Sequence, residues 1–277
     1  MLISTKSINL LSDNIRVSSE TFCSGLFLSA RWFVVSQLDY DGFQMIVLPD
    51  KDSAEYCAAD LYNLVEGDRI FFLPDSGKTL ERSNYKSTLG VQRTSAIGKI
   101  LEYKEGKLIV VTYPSALEEG IPDGRTINEA VLHLAVGDEI SHERIVDTMF
   151  ENGFEKVDFV AEPGQFAIRG AIVDIFSYSY NDPFRISFFG DEIDSISVFD
   201  CNTQLSKEKI HKAQIYPDIT LSEDESGLVN ISDILPDEAL IWLDSSDMYR
   251  NKDFYSGFDR FRRIYMELPL SRQNEEA

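Results

Sequence analysis

"EPGQFAIRGAIVDIFSYSYNDPFRISFFGDEIDSISVFD", residues 162–200, alternates apolar and polar side chains over most of its length. A period of two is the pattern of β-strands that bury one face and leave the other towards water. Gly190-Asp191 separates two such runs, and this dipeptide predicts a two-residue hairpin turn. The stretch therefore predicts an antiparallel sheet, and Gly170 is a position where a strand can bend or bulge.

The alternation assigns each side chain of two strands to a face. In the first strand one face holds Phe166 and Ile168, and the other face holds Gln165, Ala167 and Arg169. In the second strand the apolar face holds Phe184, Ile186 and Phe188, and the opposite face holds Arg185, Ser187 and Phe189. Arg169, Arg185 and Phe189 are therefore expected on the sides that point away from the core.

Arg169 and Arg185 are the two cationic residues of a stretch that is otherwise acidic. A solvated sheet face with one incidental phenylalanine explains this pattern. A protein-binding patch explains it as well, because arginine and aromatic side chains contribute most of the binding energy at interfaces. The pattern alone leaves both readings open.

The segment before about residue 135 alternates strand-like apolar runs with helical patterns. The predicted strands are FQMIVLPD (43–50), DRIFFLPD (68–75) and KLIVVTYP (107–114), and the predicted helices are KDSAEYCAADLYNLVEG (51–67) and RTSAIGKILEYKEG (93–106). The apolar run ARWFVV (30–35) also has the length of a buried strand. Such alternation predicts a parallel sheet with both faces covered.

The pattern changes after residue 135. ISHERIVDTMFENGF (140–154) predicts an amphipathic helix with Ile145, Met149 and Phe150 on its apolar side. ALIWLD (239–244) predicts one further buried strand. The expected fold is thus an α/β domain at 1–135, an α+β insert at 136–216, and a return to the first domain at 217–277.

Composition narrows the class of protein. Aspartate and glutamate number 47 against 26 lysines and arginines, so the net charge is −21. Non-specific DNA affinity comes from cationic groups, so nucleic acid is not the first partner to expect. The largest basic cluster, RFRR (260–263), is predicted on the solvated face of a terminal helix. Three widely spaced cysteines indicate reduced thiols, and the absence of a signal pattern or long apolar run indicates a cytoplasmic protein without a membrane partner.

A nucleotide site is not supported by the sequence. Gly77-Lys78-Thr79 resembles the end of a phosphate-binding loop, but the leading glycine of that loop would stand at position 72, which is Phe72. The first strand-to-helix turn (22–35) offers one glycine, Gly25, and Arg31 as its only cation. We therefore expect no nucleotide cofactor.

Metal and catalytic sites are not indicated either. His133, His142 and His211 are isolated, without the spacing of metal ligands. The carboxylates around the predicted hairpin turn, at Asp191, Glu192 and Asp194, are better explained as solvated turn residues than as a cation site. We expect no catalytic residues, no metal and no enzyme activity in this chain.

The central stretch closely resembles a segment shared by the excision-repair protein UvrB and the N-terminal module of the transcription-repair coupling factor (Mfd). The ordered motifs are R-G-x-[IVL]-[IVL]-D-[IVL]-F from Arg169, P-[FYIV]-R-[IL]-x-[FL]-F from Pro183, and F-[DE]-x-x-[TS]-Q from Phe199. Weaker similarity covers most of the chain. The lost phosphate loop, and a segment near 75–90 too short for the UvrB β-hairpin, are similar to the coupling factor.

The resemblance implies a fold and a function. The fold would be a degenerate RecA-like, UvrB domain 1-like parallel sheet, with a UvrB domain 2-like antiparallel domain between 136 and 216. The function would be that of an adaptor that binds UvrA and recruits it to stalled RNA polymerase in nucleotide excision repair. The family's UvrA contacts match Arg169, Arg185 and Phe189. Ala167 and Ser187 depart from the family, where an arginine and an acidic residue are common.

The resemblance also implies that this chain is an N-terminal fragment. The full-length parent would be an ATP-dependent DNA translocase, with ATP and magnesium in its motor and with DNA and RNA polymerase bound by its other domains. Two alternatives stay open. One is a UvrB-like, ATP-dependent damage-recognition subunit, and the other is an autoinhibitory module that contacts the rest of the full-length protein.

Overall fold

The computed structural model describes residues 5–26, 28–67, 69–77, 84–221, 227–245 and 253–267 of the 277-residue chain. The α-helices are α1 (Thr5–Val17), α2 (Ala30–Gln37), α3 (Lys51–Leu64), α4 (Asn84–Glu102), α5 (Pro114–Glu118), α6 (Gly124–Ala130), α7 (His142–Glu151) and α8 (Ile231–Ile234). Short 3-10 helices are found at Ile219–Leu221 and Asp253–Phe258.

The strands of the first half are β1 (Glu20–Ser24), β2 (Phe43–Val47), β3 (Ile70–Phe72), β4 (Leu108–Thr112), β5 (Ile121–Pro122), β6 (Leu132–Ala135), β7 (Glu155–Lys156) and β8 (Gln165–Arg169). Those of the second half are β9 (Ile172–Ile175), β10 (Phe184–Phe189), β11 (Glu192–Phe199), β12 (Ser206–Ile210), β13 (Lys212–Ile215), β14 (Leu228–Val229), β15 (Leu240–Leu243) and β16 (Arg262–Glu267).

The chain forms two compact units, each built from separate segments. The first unit takes in residues of 1–75, 99–120 and 229–277, and the second takes in residues of 76–98 and 121–228. These bounds differ from those expected from the sequence, because two segments before residue 135 group with the second unit. The fold is mixed α/β, with one parallel and one antiparallel sheet.

The first unit contains a six-stranded parallel sheet in the order β1-β16-β15-β2-β4-β3. Every residue of β2, β4 and β15 is buried, which is the burial expected of parallel strands covered on both faces. The prediction of a parallel sheet from continuous apolar runs is therefore confirmed.

Helix α3 follows β2 as the sequence predicts. The Asp50 side chain accepts a hydrogen bond from the Ser53 backbone N–H at 2.8 Å and caps the helix. One face of the helix, with Ala54, Ala58 and Leu61, packs into the core of the first unit. Helical spacing of apolar residues was sufficient to find this element.

Two predictions for the first unit were wrong. The run ARWFVV (30–35) belongs to helix α2 rather than to a strand, with Trp32 and Val35 buried. The cluster RFRR (260–263) leads into strand β16 rather than lying on a solvated helix. Arg263 is buried there and forms ion pairs with Glu20 and Asp259, so its charge is compensated inside the sheet.

Helix α4 is longer than the pattern at 93–106 indicates, since it begins at Asn84 and ends at Glu102. Polar residues fill its first turns, so apolar spacing marks only the later part. Lys78 and Thr79, of the triplet that resembles a phosphate loop, lie outside the described residues.

The second unit contains the predicted antiparallel sheet. Its six strands lie in the order β12-β11-β10-β9-β8-β7, and all neighbours are antiparallel except β7 and β8. The β10–β11 hairpin turns at Gly190, whose φ of 67° is the left-handed conformation that this turn needs. The two-residue hairpin predicted from Gly190-Asp191 is confirmed.

Helix α7 packs on the apolar face of this sheet. Ser141 caps it by accepting a hydrogen bond from the Arg144 backbone N–H, and Ile145 and Met149 are buried in the core. Phe150 was expected on the same side but is 55% exposed, with an edge-to-face contact on the Phe166 ring. In the ranges that the structure describes, no helix has the length and apolarity needed to cross a membrane.

Candidate functional site

The register of β8, β9 and β10 brings the two predicted arginines onto one face of the antiparallel sheet. Asp174 of β9 lies opposite Arg185 of β10 on one side and opposite Ala167 of β8 on the other. Arg169 lies one pleat further along the same face of β8. The opposite face carries Phe166, Val173 and Ile186, which are buried in the core of the second unit. We call the first of these surfaces the arginine face.

A buried carboxylate connects the two arginines. Asp174 is 1% exposed, and its Oδ1 and Oδ2 accept hydrogen bonds from Nε and Nη2 of Arg185 at 2.8 and 2.9 Å. Oδ2 also accepts a hydrogen bond from Nη2 of Arg169. The bidentate pair raises the pKa of Arg185, whose guanidinium stays charged beside the carboxylate. Asp174 therefore compensates part of the positive charge of this face.

The loop after β11 holds Arg185 from the other side. The Gln204 backbone carbonyl accepts a hydrogen bond from Nη1 of Arg185 at 3.2 Å, and the Gln204 side-chain Oε1 accepts one from Nη2 at 3.1 Å. The guanidinium carbon, Cζ, also lies 4.2 Å from the centroid of the buried Phe199 ring. Arg185 is consequently fixed in position and its side chain is only 18% exposed.

Arg169 is held less tightly than Arg185. Its side chain is 34% exposed, and its Cζ lies 5.0 Å from the centroid of the Phe159 ring, a cation–π contact. Phe159 is itself exposed. Arg169 and Phe159 together form a cationic and aromatic surface on this face.

Phe189, at the end of β10, is the most exposed of the three predicted residues. It pairs with Glu192 across the hairpin and is 82% exposed, whereas its neighbour Phe188 is buried in the core. A bulge between Ser187 and Phe188 shifts the β10–β11 register, yet the alternation is kept. An exposed phenyl ring beside a hairpin turn is available to insert into a partner.

The three predicted residues therefore lie on the non-core side of one sheet, but they differ in exposure. Arg185 lies on the side away from the core, as expected, but Asp174 and Gln204 enclose its guanidinium. Ala167, on the same face, is buried in a small apolar cluster that also contains Val160 and Phe176.

The sequence reasoning did not identify Asp174, Gln204 or Phe159 as part of this face. Asp174 could have been identified from the sequence, because it lies inside the apolar run AIVDIF and a buried carboxylate is seldom without a partner. The contacts of Gln204 and Phe159 depend on loops whose paths the alternation does not predict.

The turn between β1 and α2, where a phosphate loop would lie, contains an ion pair. Nη1 of Arg31, in the first turn of α2, lies 2.5 Å from Oδ1 of Asp244, which directly follows β15. In phosphate-loop nucleotide-binding proteins, an aspartate after another strand of the sheet helps to hold magnesium. Here the carboxylate at that edge is paired with a guanidinium instead.

Other candidate residues do not converge. In the part of the chain that the structure describes, no group of three or more His, Cys, Asp or Glu side chains could hold a metal ion. His142 packs on the Phe188 ring, and His133 lies in the β6–β13 ladder opposite Gln214. Backbone atoms of Asp191 and Glu192 take part in pairing with residues 139 and 140.

Comparison with known proteins identifies relatives of this fold. The UvrB interaction domain family matches residues 132–220. The transcription-repair-coupling factor of Bacillus subtilis is 28% identical over 214 residues, which is 76% of this chain and 18% of that protein. That of Staphylococcus aureus (strain USA300) is 24% identical over 92% of this chain and 22% of that protein.

A second group of relatives matches a shorter segment. The UvrABC system protein B of Francisella tularensis is 35% identical over 126 residues, which is 45% of this chain and 18% of that protein. The chain thus spans about a fifth of the length of the curated relatives that it matches.

Proposed function

We propose that this chain, which carries a UvrB interaction domain and resembles the transcription-repair-coupling factors over most of its length, is an adaptor that binds UvrA in nucleotide excision repair. The observation that carries the proposal is the match at 132–220, because this range includes all the strands of the arginine face. In a full-length protein like these relatives, the adaptor would recruit UvrA to stalled RNA polymerase.

The arginine face has the chemistry of a docking surface. Phe189 and Phe159 are exposed aromatic side chains, and Arg169 at the end of β8 provides a partly exposed guanidinium. Aromatic and arginine side chains are the residue types enriched at interface hot spots. A chain with a net charge of −21 would need such a local positive surface to bind an acidic patch on another protein.

Calorimetric titration of UvrA with this chain tests the proposal. We expect saturable binding that weakens as the salt concentration rises, because part of the contact is ionic. A flat titration at every salt concentration would contradict the proposal.

We also propose that the parallel sheet of the first unit is a degenerate RecA-like domain without ATPase activity. All six strands are parallel, and the position of a phosphate loop carries Gly25 without a Gly-Lys-Ser/Thr motif. The Arg31–Asp244 ion pair uses the carboxylate that a magnesium ion would need. The alternative function, a UvrB-like ATP-dependent damage sensor, is disfavoured by this pair.

Titration of the chain with ATP and magnesium is therefore expected to give no saturable heat. The Arg31→Ala variant should behave in the same way, since removing the guanidinium does not supply the missing glycines and lysine. A phosphate-loop ATPase titrated under identical conditions provides the positive control. Saturable ATP binding by the unmodified chain would favour the damage-sensor function.

A further inference from the structure

The hydrogen bonds of Arg185 leave it little capacity to bind another protein. A guanidinium has five N–H groups, and Arg185 donates four hydrogen bonds, two to Asp174 and two to Gln204. Its planar face is also covered by the Phe199 ring. At most one N–H group of Arg185 is left for a partner.

Arg169 makes fewer hydrogen bonds than Arg185 among the described residues. Its one hydrogen bond among the described residues is from Nη2 to Asp174, so most of its N–H groups have no acceptor in that part of the chain. Its side chain is also more exposed than that of Arg185. Of the two arginines, Arg169 is the one that can donate to an acidic partner.

The backbone at Gln204 has an uncommon conformation that serves Arg185. Its φ is 60°, in the left-handed region that non-glycine residues seldom adopt and that costs free energy. Asp200 supports this loop, because its Oδ1 accepts hydrogen bonds from the backbone N–H groups of Asn202 and Thr203. The result is that a carbonyl and a side-chain oxygen of one residue both reach the same guanidinium.

Asp174 reduces the repulsion between the two arginines of this face. Two guanidinium groups that contact one carboxylate lie close enough to repel each other when that carboxylate is absent. With its negative charge between them, both arginines keep one fixed arrangement. The carboxylate itself is buried, so it makes no contact with a partner.

We propose that Asp174 and Gln204 are positioning residues of the docking surface, which hold Arg185 as a fixed support and direct Arg169 towards the partner. This inference rests on the proposed binding of UvrA by the same face. It assigns direct ionic contact to Arg169 and a supporting role to Arg185, although both are arginines on one face.

The test measures the affinity of UvrA for three single variants and two double variants by calorimetry. Asp174→Asn keeps the shape of the side chain and removes its charge, and we expect about tenfold weaker binding. The variant is then combined with Arg169→Ala in one double-mutant cycle and with Phe189→Ala in another. Phe189 has no contact with Asp174, so those two losses should multiply. In the other cycle, the double variant of Asp174→Asn and Arg169→Ala should lose clearly less affinity than the product of the two single losses. The reason is that Asp174 acts through Arg169.

A role of Asp174 in folding alone would give multiplicative losses in both cycles, and that result would overturn the inference. Unchanged affinity of Asp174→Asn would overturn it as well. If the unmodified chain does not bind UvrA at all, the proposed function itself fails, so the two failures are distinguishable. Asp182→Asn, which removes one of the two carboxylate partners of Lys207 in the same unit, is the matched control and should bind as the unmodified chain does.

Gln204→Gly keeps the test decisive if thermal melting shows that Asp174→Asn is unfolded. Glycine adopts a φ of 60° without strain, so this variant keeps the backbone carbonyl that accepts from Arg185. It removes the side-chain oxygen, together with the amide group that donates to the Cys201 carbonyl. We expect about threefold weaker binding and the same two cycle outcomes. Losses that multiply with Arg169→Ala would again overturn the inference.

Discussion

Replacing Phe189 by alanine is expected to weaken UvrA binding about thirtyfold, which corresponds to about 2 kcal/mol. The ring is 82% exposed in this chain, so its burial against a partner would remove a large apolar surface from water. Thermal stability should change little, because Phe188 and not Phe189 fills the core. Calorimetry gives the affinity and a thermal melt gives the stability.

Tyr56→Ala provides the control for this experiment. Tyr56 is an aromatic residue of similar exposure, on α3 of the first unit and outside the UvrB interaction domain match. Its replacement should leave UvrA affinity unchanged. Equal affinities of the Phe189→Ala variant and the unmodified chain would remove Phe189 from the docking surface.

Replacing Arg185 by alanine is expected to lower the free energy of unfolding by about 3 kcal/mol. The substitution removes two hydrogen bonds from the buried carboxylate of Asp174 and leaves it with Arg169 as its one ionic partner among the described residues. It also leaves both oxygens of Gln204 without their donor. Urea denaturation followed by far-UV circular dichroism measures the change.

Two comparisons make this prediction specific. Arg125→Ala breaks an exposed pair with Glu129 and should have little effect, since exposed pairs contribute little to stability. Adding Asp174→Ala to Arg185→Ala should recover part of the loss, because it removes a buried carboxylate that has lost its bidentate partner. If Arg185→Ala were no more destabilising than Arg125→Ala, the Asp174 pair would not be a stabilising contact.

The elements predicted best from the sequence have one regular period and a clear boundary. β2, α3 and the β10–β11 hairpin follow from continuous apolar residues, helical spacing and Gly190-Asp191. The arginine face follows from the period of two, because alternation determines which side of a strand each residue occupies. These are local properties of the chain.

The errors arise where tertiary contacts decide the outcome. A run of six apolar residues at 30–35 fits a strand or a buried helix, and packing made it helix α2. Arg263 occurs in a strand because Glu20 and Asp259 compensate its charge from distant and local positions. Neither partner can be recognised from the basic cluster itself.

The exposure of Arg185 could not be predicted for the same reason. Alternation places it on the non-core face, but Asp174 comes from the adjacent strand and Gln204 from a loop after β11. Strand register and loop path decide whether a side chain on that face is free or enclosed. The face of the sheet on which Arg185 lies was therefore predictable, whereas the exposure of its side chain to solvent was not.

The pairing of β1 with β16 has a consequence for biosynthesis. Among the described strands β1 has only β16 as a neighbour, and Glu20 and Arg263 are 243 positions apart. At about 5–20 residues per second, a ribosome needs roughly 10–50 s to make that interval. During this time the nascent β1 lacks the strand with which it pairs, whereas all six strands from β7 to β12 emerge within one short stretch of translation.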